Sequence, residues 1–234
     1  MNYRNGVAFA ACTAILTVVV LLSGSRASAA DAIQLFNGKD LSGWKFRGIA
    51  DRSKWVVGKA KLSDANPAAI EVAAGGKEMI NVASSVDIYT AVKFGDCLLE
   101  IEVMVPKGAN SGIYLMGKYE VQVLDSFGKK QVSAGDMGAI YGQTAPKVNA
   151  SKAPGRWQKF VIDFRAPRFD GAGKKTANAR LVKCTLNGQV IHENVDIPGP
   201  TASAMSGEET ATGPLMLQGD HGPIAYRNIK ITPR

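Results

Sequence analysis

From residue 98 to 105 the chain alternates: Leu99, Ile101, Val103 and Val105 fall on one side, and Leu98, Glu100, Glu102 and Met104 on the other. Period-two spacing of this kind is that of a β-strand with one face in a core. Similar patterning predicts strands over 112–116, 118–124, 157–165, 179–186, 189–194, 214–218 and 225–232, with turn chemistry between them at Pro106-Lys107-Gly108, Ala153-Pro154-Gly155 and Asn187-Gly188. The Asn-Gly pair is the strongest hairpin signal, because both central positions of such a turn want positive φ. Helix signals are weak. Many short strands divided by turns imply an all-β sandwich or barrel. Two stretches, 126–153 and 197–213, lack the alternation and are expected to be long loops bordering any site.

The N-terminus is different. Arg4 precedes an apolar run from Val7 to Leu22, and Ala27-Ser28-Ala29 follows as a small-residue cleavage pattern. This reads as a signal peptide, residues 1–29, with an exported (periplasmic or secreted) domain over 30–234. The run is shorter than the roughly 20 residues of a spanning helix, so no membrane span is expected after cleavage. Losing Arg4 and Arg26 leaves 26 Lys and Arg against 20 Asp and Glu, a net charge of +6. The basic residues are scattered, with no stripe or motif for nucleic acid, so a nucleic-acid partner is not expected. Cys97 and Cys184 remain after cleavage. Export permits a disulfide between them, and their strand-like settings equally suit buried free thiols. No C-x-x-C pair or His/Cys cluster suggests structural zinc.

Several ordered patches carry a resemblance: Leu35-Phe36-Asn37-Gly38-Lys39-Asp40-Leu41-Ser42-Gly43-Trp44, Pro106 through Leu115, Tyr119 through Ser126, Pro154-Gly155-Arg156-Trp157-Gln158, Gly213 through Gly222, and Arg227-Asn228-Ile229. On these the chain resembles the 3-keto-disaccharide hydrolase family over nearly all of residues 33–233. The resemblance implies a concanavalin A-like jelly-roll β-sandwich of two antiparallel sheets. It also implies cleavage of glycosides oxidised to a ketone at sugar C3. A ketone there acidifies the C2 proton, so a base can start elimination of the C1 substituent, with water adding afterwards, for a net hydrolysis. The chemistry needs an upstream glycoside 3-oxidoreductase as the source of the ketone.

Within strand 118–124, Glu120 and Gln122 leave the same face about 7 Å apart, while Val121 and Val123 take the other. Asp125 points away by strict alternation, and a β-bulge near Leu124 would return it to the side of Glu120. The resulting Glu-x-Gln-x-x-Asp spacing is similar to the catalytic strand of laminarinase-type glycosidases, with an amide in place of the middle acid. The expected catalytic set is Glu120 or Asp125 as base and His221, in a glycine-flanked loop, as acid or ligand. Gln122 and Arg227 are expected on the keto or hydroxyl oxygens, with Asn110, Ser111, Tyr114, Tyr141 and Gln218 as further substrate contacts. Tyr119 and Trp157 are additional stacking candidates; Trp44 and Trp55 are read as core. Glu120, Asp125, Asp220 and His221 together could hold a divalent metal. A non-catalytic carbohydrate-binding module is the alternative function, since the fold supports both.

Overall fold

The computed structural model describes residues 1, 2 and 31–234, so the leader expected over 1–29 lies outside the described residues apart from its first two. Two antiparallel sheets face each other. The larger is built from β1 (Ile33–Gln34), β3 (Trp55–Leu62), β4 (Ile70–Asn81), β6 (Cys97–Met104), β9 (Trp157–Arg165), β12 (Ala179–Leu186), β13 (Gln189–Ile197) and β15 (Ile224–Pro233). The smaller is built from β2 (Trp44–Arg47), β5 (Asp87–Phe94), β7 (Asn110–Leu115), β8 (Tyr119–Leu124) and β14 (Gly213–Leu217). β10 (Arg168–Phe169) and β11 (Lys175–Ala177) form a separate two-stranded ribbon. The orders are β13-β12-β9-β6-β15-β4-β3, with β1 on β15, and β2-β5-β14-β7-β8. Crossovers between the sheets give the jelly-roll sandwich that the resemblance implies.

The alternation read from the sequence is what fills the interior. Leu99, Ile101 and Val103 of β6 and Phe160, Ile162 and Phe164 of β9 are buried with Ile113, Leu115, Val121, Val123, Leu215 and Leu217 of the smaller sheet in one cluster. Their partners Glu100 and Glu102 face outward, where Lys159 and Lys230 pair with the first and Arg227 with the second. Trp44 and Trp55 belong to the core, and each indole N–H donates to a main-chain carbonyl, of Leu35 and of Val86. Asn187 and Gly188 have φ of 53° and 84° and join β12 to β13, the left-handed pair an Asn-Gly turn supplies.

Cys97 and Cys184 are buried free thiols. They sit on β6 and β12 with β9 between, two strand spacings or about 9–10 Å apart before any stagger, beyond the roughly 7 Å that a disulfide bridges. Burial pushes the Cys97 thiol up to about 12 and raises Cys184 further. Both should therefore resist alkylation in the native protein and react only after denaturation. Peptide mass spectrometry before and after unfolding checks this, and modification of either in the folded chain would contradict the packing.

Candidate active site

β8 is the last strand of the smaller sheet, and its register with β7 runs unbroken from Leu115 opposite Tyr119 to Asn110 opposite Leu124. With Val121 and Val123 committed to the core, Glu120 and Gln122 must point to the sheet's outer face. Pairing extends this into rows across the sheet. Glu120 lies opposite Tyr114, Tyr114 opposite Met216, Met216 opposite Tyr89, and Tyr89 opposite Lys45. In the next row Gln122 is opposite Gly112, whose carbonyl accepts from the Gln218 N–H at 3.0 Å.

This outer face is covered. Along the free edge of β8, the Tyr141 N–H donates to the Glu120 carbonyl at 3.2 Å, the Gln122 N–H to Ala139 at 2.9 Å, and the Gly138 N–H to Gln122 at 2.8 Å. From the other long loop the Thr201 hydroxyl accepts the Glu120 N–H at 3.0 Å. Both stretches expected from the sequence to border a site do so. Glu120 and Gln122 are each only 3% exposed.

The covered space is a cleft of about 120 Å³ lined by Asn110, Tyr114, Glu120, Gln122, Tyr141, Ala202, Ser203, Gln218 and His221. A larger hollow of about 490 Å³ lies farther along the same face, beside Lys45, Tyr89, Lys93 and Met205. The smaller cleft holds the convergent buried polar groups and is the one with chemical potential.

The Glu120 carboxylate is the centre of the cleft. Tyr114 Oη donates to its Oε2 at 2.8 Å and also stands 3.1 Å from the Ala202 carbonyl. Burial pushes Glu120 up to about 7, opposed by the Tyr114 hydrogen bond and the nearby His221 and assisted by Asp220 and Asp87. The carboxylate fits there because position 112 has no side chain: a Cβ on Gly112 would sit 2.3 Å from Glu120 Oε1 and 2.8 Å from Tyr114 Cε2. Close approach, not φ, demands this glycine. His221 Nδ1 is hydrogen-bonded to the Asp220 carboxylate, which leaves Nε2 for another partner. Asn110 Oδ1 and Gln218 Oε1 are buried and find no hydrogen-bond partner among the described residues. Unpaired buried acceptors are costly, so these two oxygens are the cleft's open hydrogen-bonding positions.

Seven expected residues thus meet: Glu120, Gln122, Asn110, Tyr114, Tyr141, Gln218 and His221. Gln122 is braced, its Nε2 on the Gly135 carbonyl at 3.3 Å and its Oε1 on the Val123 N–H at 3.1 Å. Three others lie elsewhere. Asp125 gains no bulge, since the β7–β8 register does not shift, and its carboxylate accepts the Gly108 N–H at 2.9 Å and the Phe127 N–H at 3.3 Å to close turns. Ser111, on the inward parity of β7, bonds to the Gln218 carbonyl at 2.7 Å and Tyr226 Oη at 2.8 Å. Arg227 is on the larger sheet, bound to Glu102 at 2.8 Å and stacked 4.1 Å from the Trp157 ring centroid. Trp157 is thereby occupied outside the cleft, and Tyr119 packs on Phe164 with a ring-centroid separation of 5.7 Å. With Asp125 turned away, the four-residue metal set is not assembled, and no group of three His, Cys, Asp or Glu suited to a metal occurs among the described residues.

Sequence reasoning missed Ala202 and Ser203, which carry no chemical signature and line the cleft through their place in the loop.

A family model described as a 3-keto-alpha-glucoside-1,2-lyase-like domain matches residues 31–232. Among solved structures, a "putative glycosyl hydrolase" from Parabacteroides distasonis is 32% identical, with a TM-score of 0.67, over 87% of this chain and 84% of that one. Two further proteins of the same description and organism share the fold at 18% identity and TM-score 0.60 (87% and 94% of the chains) and at 21% and 0.56 (87% and 100%). No curated protein matches the chain in sequence.

The raised proton affinity of Glu120 has a consequence for stability. Its folded value of about 7 stands above an ordinary glutamate's 4.5, so the folded chain holds this proton more tightly than the unfolded one. The contribution is complete below about pH 4.5 and is lost as pH rises through about 7, some 3 kcal/mol in all. Glu120→Gln, which cannot ionise, should therefore melt higher than the parent at pH 8 and show no such gain at pH 4. Thermal melts at the two pH values check this; equal differences at both would mean that Glu120 is not a buried titrating group.

Proposed function

The chain belongs to the 3-keto-alpha-glucoside-1,2-lyase-like domain family, and from that membership we propose that it cleaves glycosides bearing a ketone at sugar C3, by elimination across C1 and C2. Glu120 takes the C2 proton, and the electrons of that bond enter the enolate of the C3 ketone. They then form the C1–C2 double bond as the C1–O bond breaks and its pair leaves with the substituent's oxygen. Water adding across that double bond releases the free 3-keto sugar, so the two steps sum to hydrolysis. A base for this step works best with its pKa near the working pH, and Glu120 at about 7 meets that requirement.

The observation that carries the reading is the presence of this carboxylate in a cleft of about 120 Å³ beside two buried amide oxygens, those of Asn110 and Gln218, that have no partner among the described residues. A sugar's hydroxyls are donors that would satisfy both, while the amide N–H groups remain for the C3 oxygen. His221, held by Asp220 through Nδ1, is placed to protonate the leaving oxygen through Nε2. Tyr114 accommodates the proton that Glu120 gains: its single hydroxyl hydrogen can turn to the Ala202 carbonyl while its oxygen accepts from the protonated acid. The signal-peptide pattern at the N-terminus supports an exported, periplasmic or secreted, setting for this reaction, with a glycoside 3-oxidoreductase upstream as the source of the ketone.

Incubation with 3-keto-trehalose and 3-keto-glucosides, followed by the ultraviolet absorbance of an enone and by release of the substituent, is the direct test. Glu120→Gln should lower turnover by about 10²–10⁴-fold, with His221→Ala impaired most on poor leaving groups. Asp125→Asn and Arg227→Met should keep wild-type rates. Turnover of the parent should rise with pH through about 7, because the base must be ionised. Full activity of Glu120→Gln would sink the mechanism. Binding without turnover of any 3-keto-glycoside would make the domain a carbohydrate-binding module.

A further inference from the structure

One ion pair outside the cleft lining touches both of its walls. Asp87 Oδ1 accepts the Gly219 N–H at 3.0 Å, and its Oδ2 lies 3.3 Å from Arg47 Nη1. The Arg47 fork continues to the other wall, Nη1 donating to the Ser203 carbonyl at 2.7 Å and Nη2 to the Ala204 carbonyl at 3.1 Å. Register sets this up, because Arg47 of β2 stands directly opposite Asp87 of β5.

The walls are not held alike. The wall from Gly219 to Gly222, which carries His221, is fixed independently. Asn81 Nδ2 reaches the Gly219 and Gly222 carbonyls at 2.7 and 3.2 Å, Ser84 Oγ the Asp220 carbonyl at 2.5 Å, and the Ser85 N–H the Gly219 carbonyl at 2.8 Å. The strap from Thr201 to Gly207 is pinned at its ends. The Thr201 N–H donates to the Lys118 carbonyl at 3.0 Å and the Met205 N–H to Gly117 at 2.8 Å, and the Lys118 ammonium holds the carbonyls of Met205, Ser206 and Gly207. Between those pins Ser203 sits in the left-handed region at φ 59°, where a non-glycine residue is strained. Arg47 holds the middle of the strap through the Ser203 and Ala204 carbonyls, next to the Ala202 carbonyl that Tyr114 faces from inside the cleft.

We propose that Arg47 and Asp87 are positioning residues that index the Thr201–Gly207 strap to the wall that carries His221, and so set where Tyr114 holds Glu120 in the cleft. This rests on Glu120 being the base of the proposed reaction. Asp87 has hydrogen bonds to Arg47 and Gly219 and none to the strap among the described residues, so its influence there must pass through Arg47. The planar guanidinium serves two carbonyls and a carboxylate at once, which a lysine ammonium on a flexible stem does less well.

Amide hydrogen exchange of the protein, read by mass spectrometry, tests the mechanical half, with Arg47→Met, Asp87→Asn and the double variant. Both single variants should speed exchange in residues 202–205. The double variant should go no further than Arg47→Met, since two residues acting through one link are not additive. On a 3-keto-glucoside kcat should fall about 10–100-fold in Arg47→Met, as expected for a displaced active-site group, and Arg47→Lys should recover part of both the protection and the kcat. Wild-type exchange in the strap of Asp87→Asn, or additive effects in the double variant, would overturn the clamp. So would parental kcat in Arg47→Met alongside a lowered melting temperature, which would make the pair purely structural. If the parent turns over no 3-keto-glycoside, the proposed function fails on its own, and the exchange data still decide the clamp.

Discussion

The exposed edge of β8 is the constraint from which the site follows. An edge strand presents unpaired N–H and C=O groups that must be covered or defended, and here two long loops do the covering, through Gly138 to Tyr141 on one side and Thr201 on the other. Because β8 alternates strictly, covering its edge also roofs the two polar side chains on its outer face. A carboxylate that an uncovered sandwich would leave in water is thereby enclosed beside a tyrosine, two amides and a histidine.

Enclosure changes what Glu120 is. In water a glutamate at neutral pH is ionised and only weakly basic; behind the loops, desolvation raises its proton affinity until about pH 7, and only the Tyr114 hydrogen bond and the proximity of His221 restrain the rise. The same burial strains the fold, because an ionised carboxylate in a dry site is destabilising. Gly112 shows how tightly the arrangement is drawn, since the carboxylate occupies the space a β-carbon would take. Local destabilisation kept for the sake of reactivity is a recurrent feature of active sites.

Period-two patterning made the later strands legible, with 157–165 and 179–186 matching β9 and β12 to the residue. It also put Glu120 and Gln122 together on the correct face, because alternation needs no knowledge of neighbours. The early strands β1 to β5 went unnamed. β4 (Ile70–Asn81), for example, runs through Ala73, Ala74, Gly75 and Gly76 with much of its length exposed, so its apolar alternation is diluted. Asp125 keeps the direction that strict alternation gives it, and the bulge that would bring it back to Glu120 is decided by partner register rather than by a strand's own sequence. Ser111 follows the inward parity of β7, a parity that its turn-like neighbours Asn110 and Gly112 concealed. Arg47 and Asp87, forty positions apart, are brought together by β2–β5 pairing, which no local pattern encodes.

Arg227 shows why charge alone is a poor guide to a site and why unsatisfied polarity is a better one. On the outer face of the larger sheet, Arg227 and Asn228 close on the two oxygens of Glu102, and Lys159 and Lys230 close on Glu100. Each of these carboxylate oxygens is answered by a neighbouring side chain, so they have little left to offer a ligand beyond what water already takes. The outer face of the smaller sheet is built the other way. It encloses Asn110 Oδ1 and Gln218 Oε1 with no hydrogen-bond partner among the described residues, next to a carboxylate that burial makes more basic. A fold could remove both costs with apolar side chains at 110, 120 and 218 and be more stable for it. The polar groups therefore make sense in terms of something that arrives, carrying hydroxyl donors for the amides and an acidic proton for the carboxylate, and a 3-keto sugar has both.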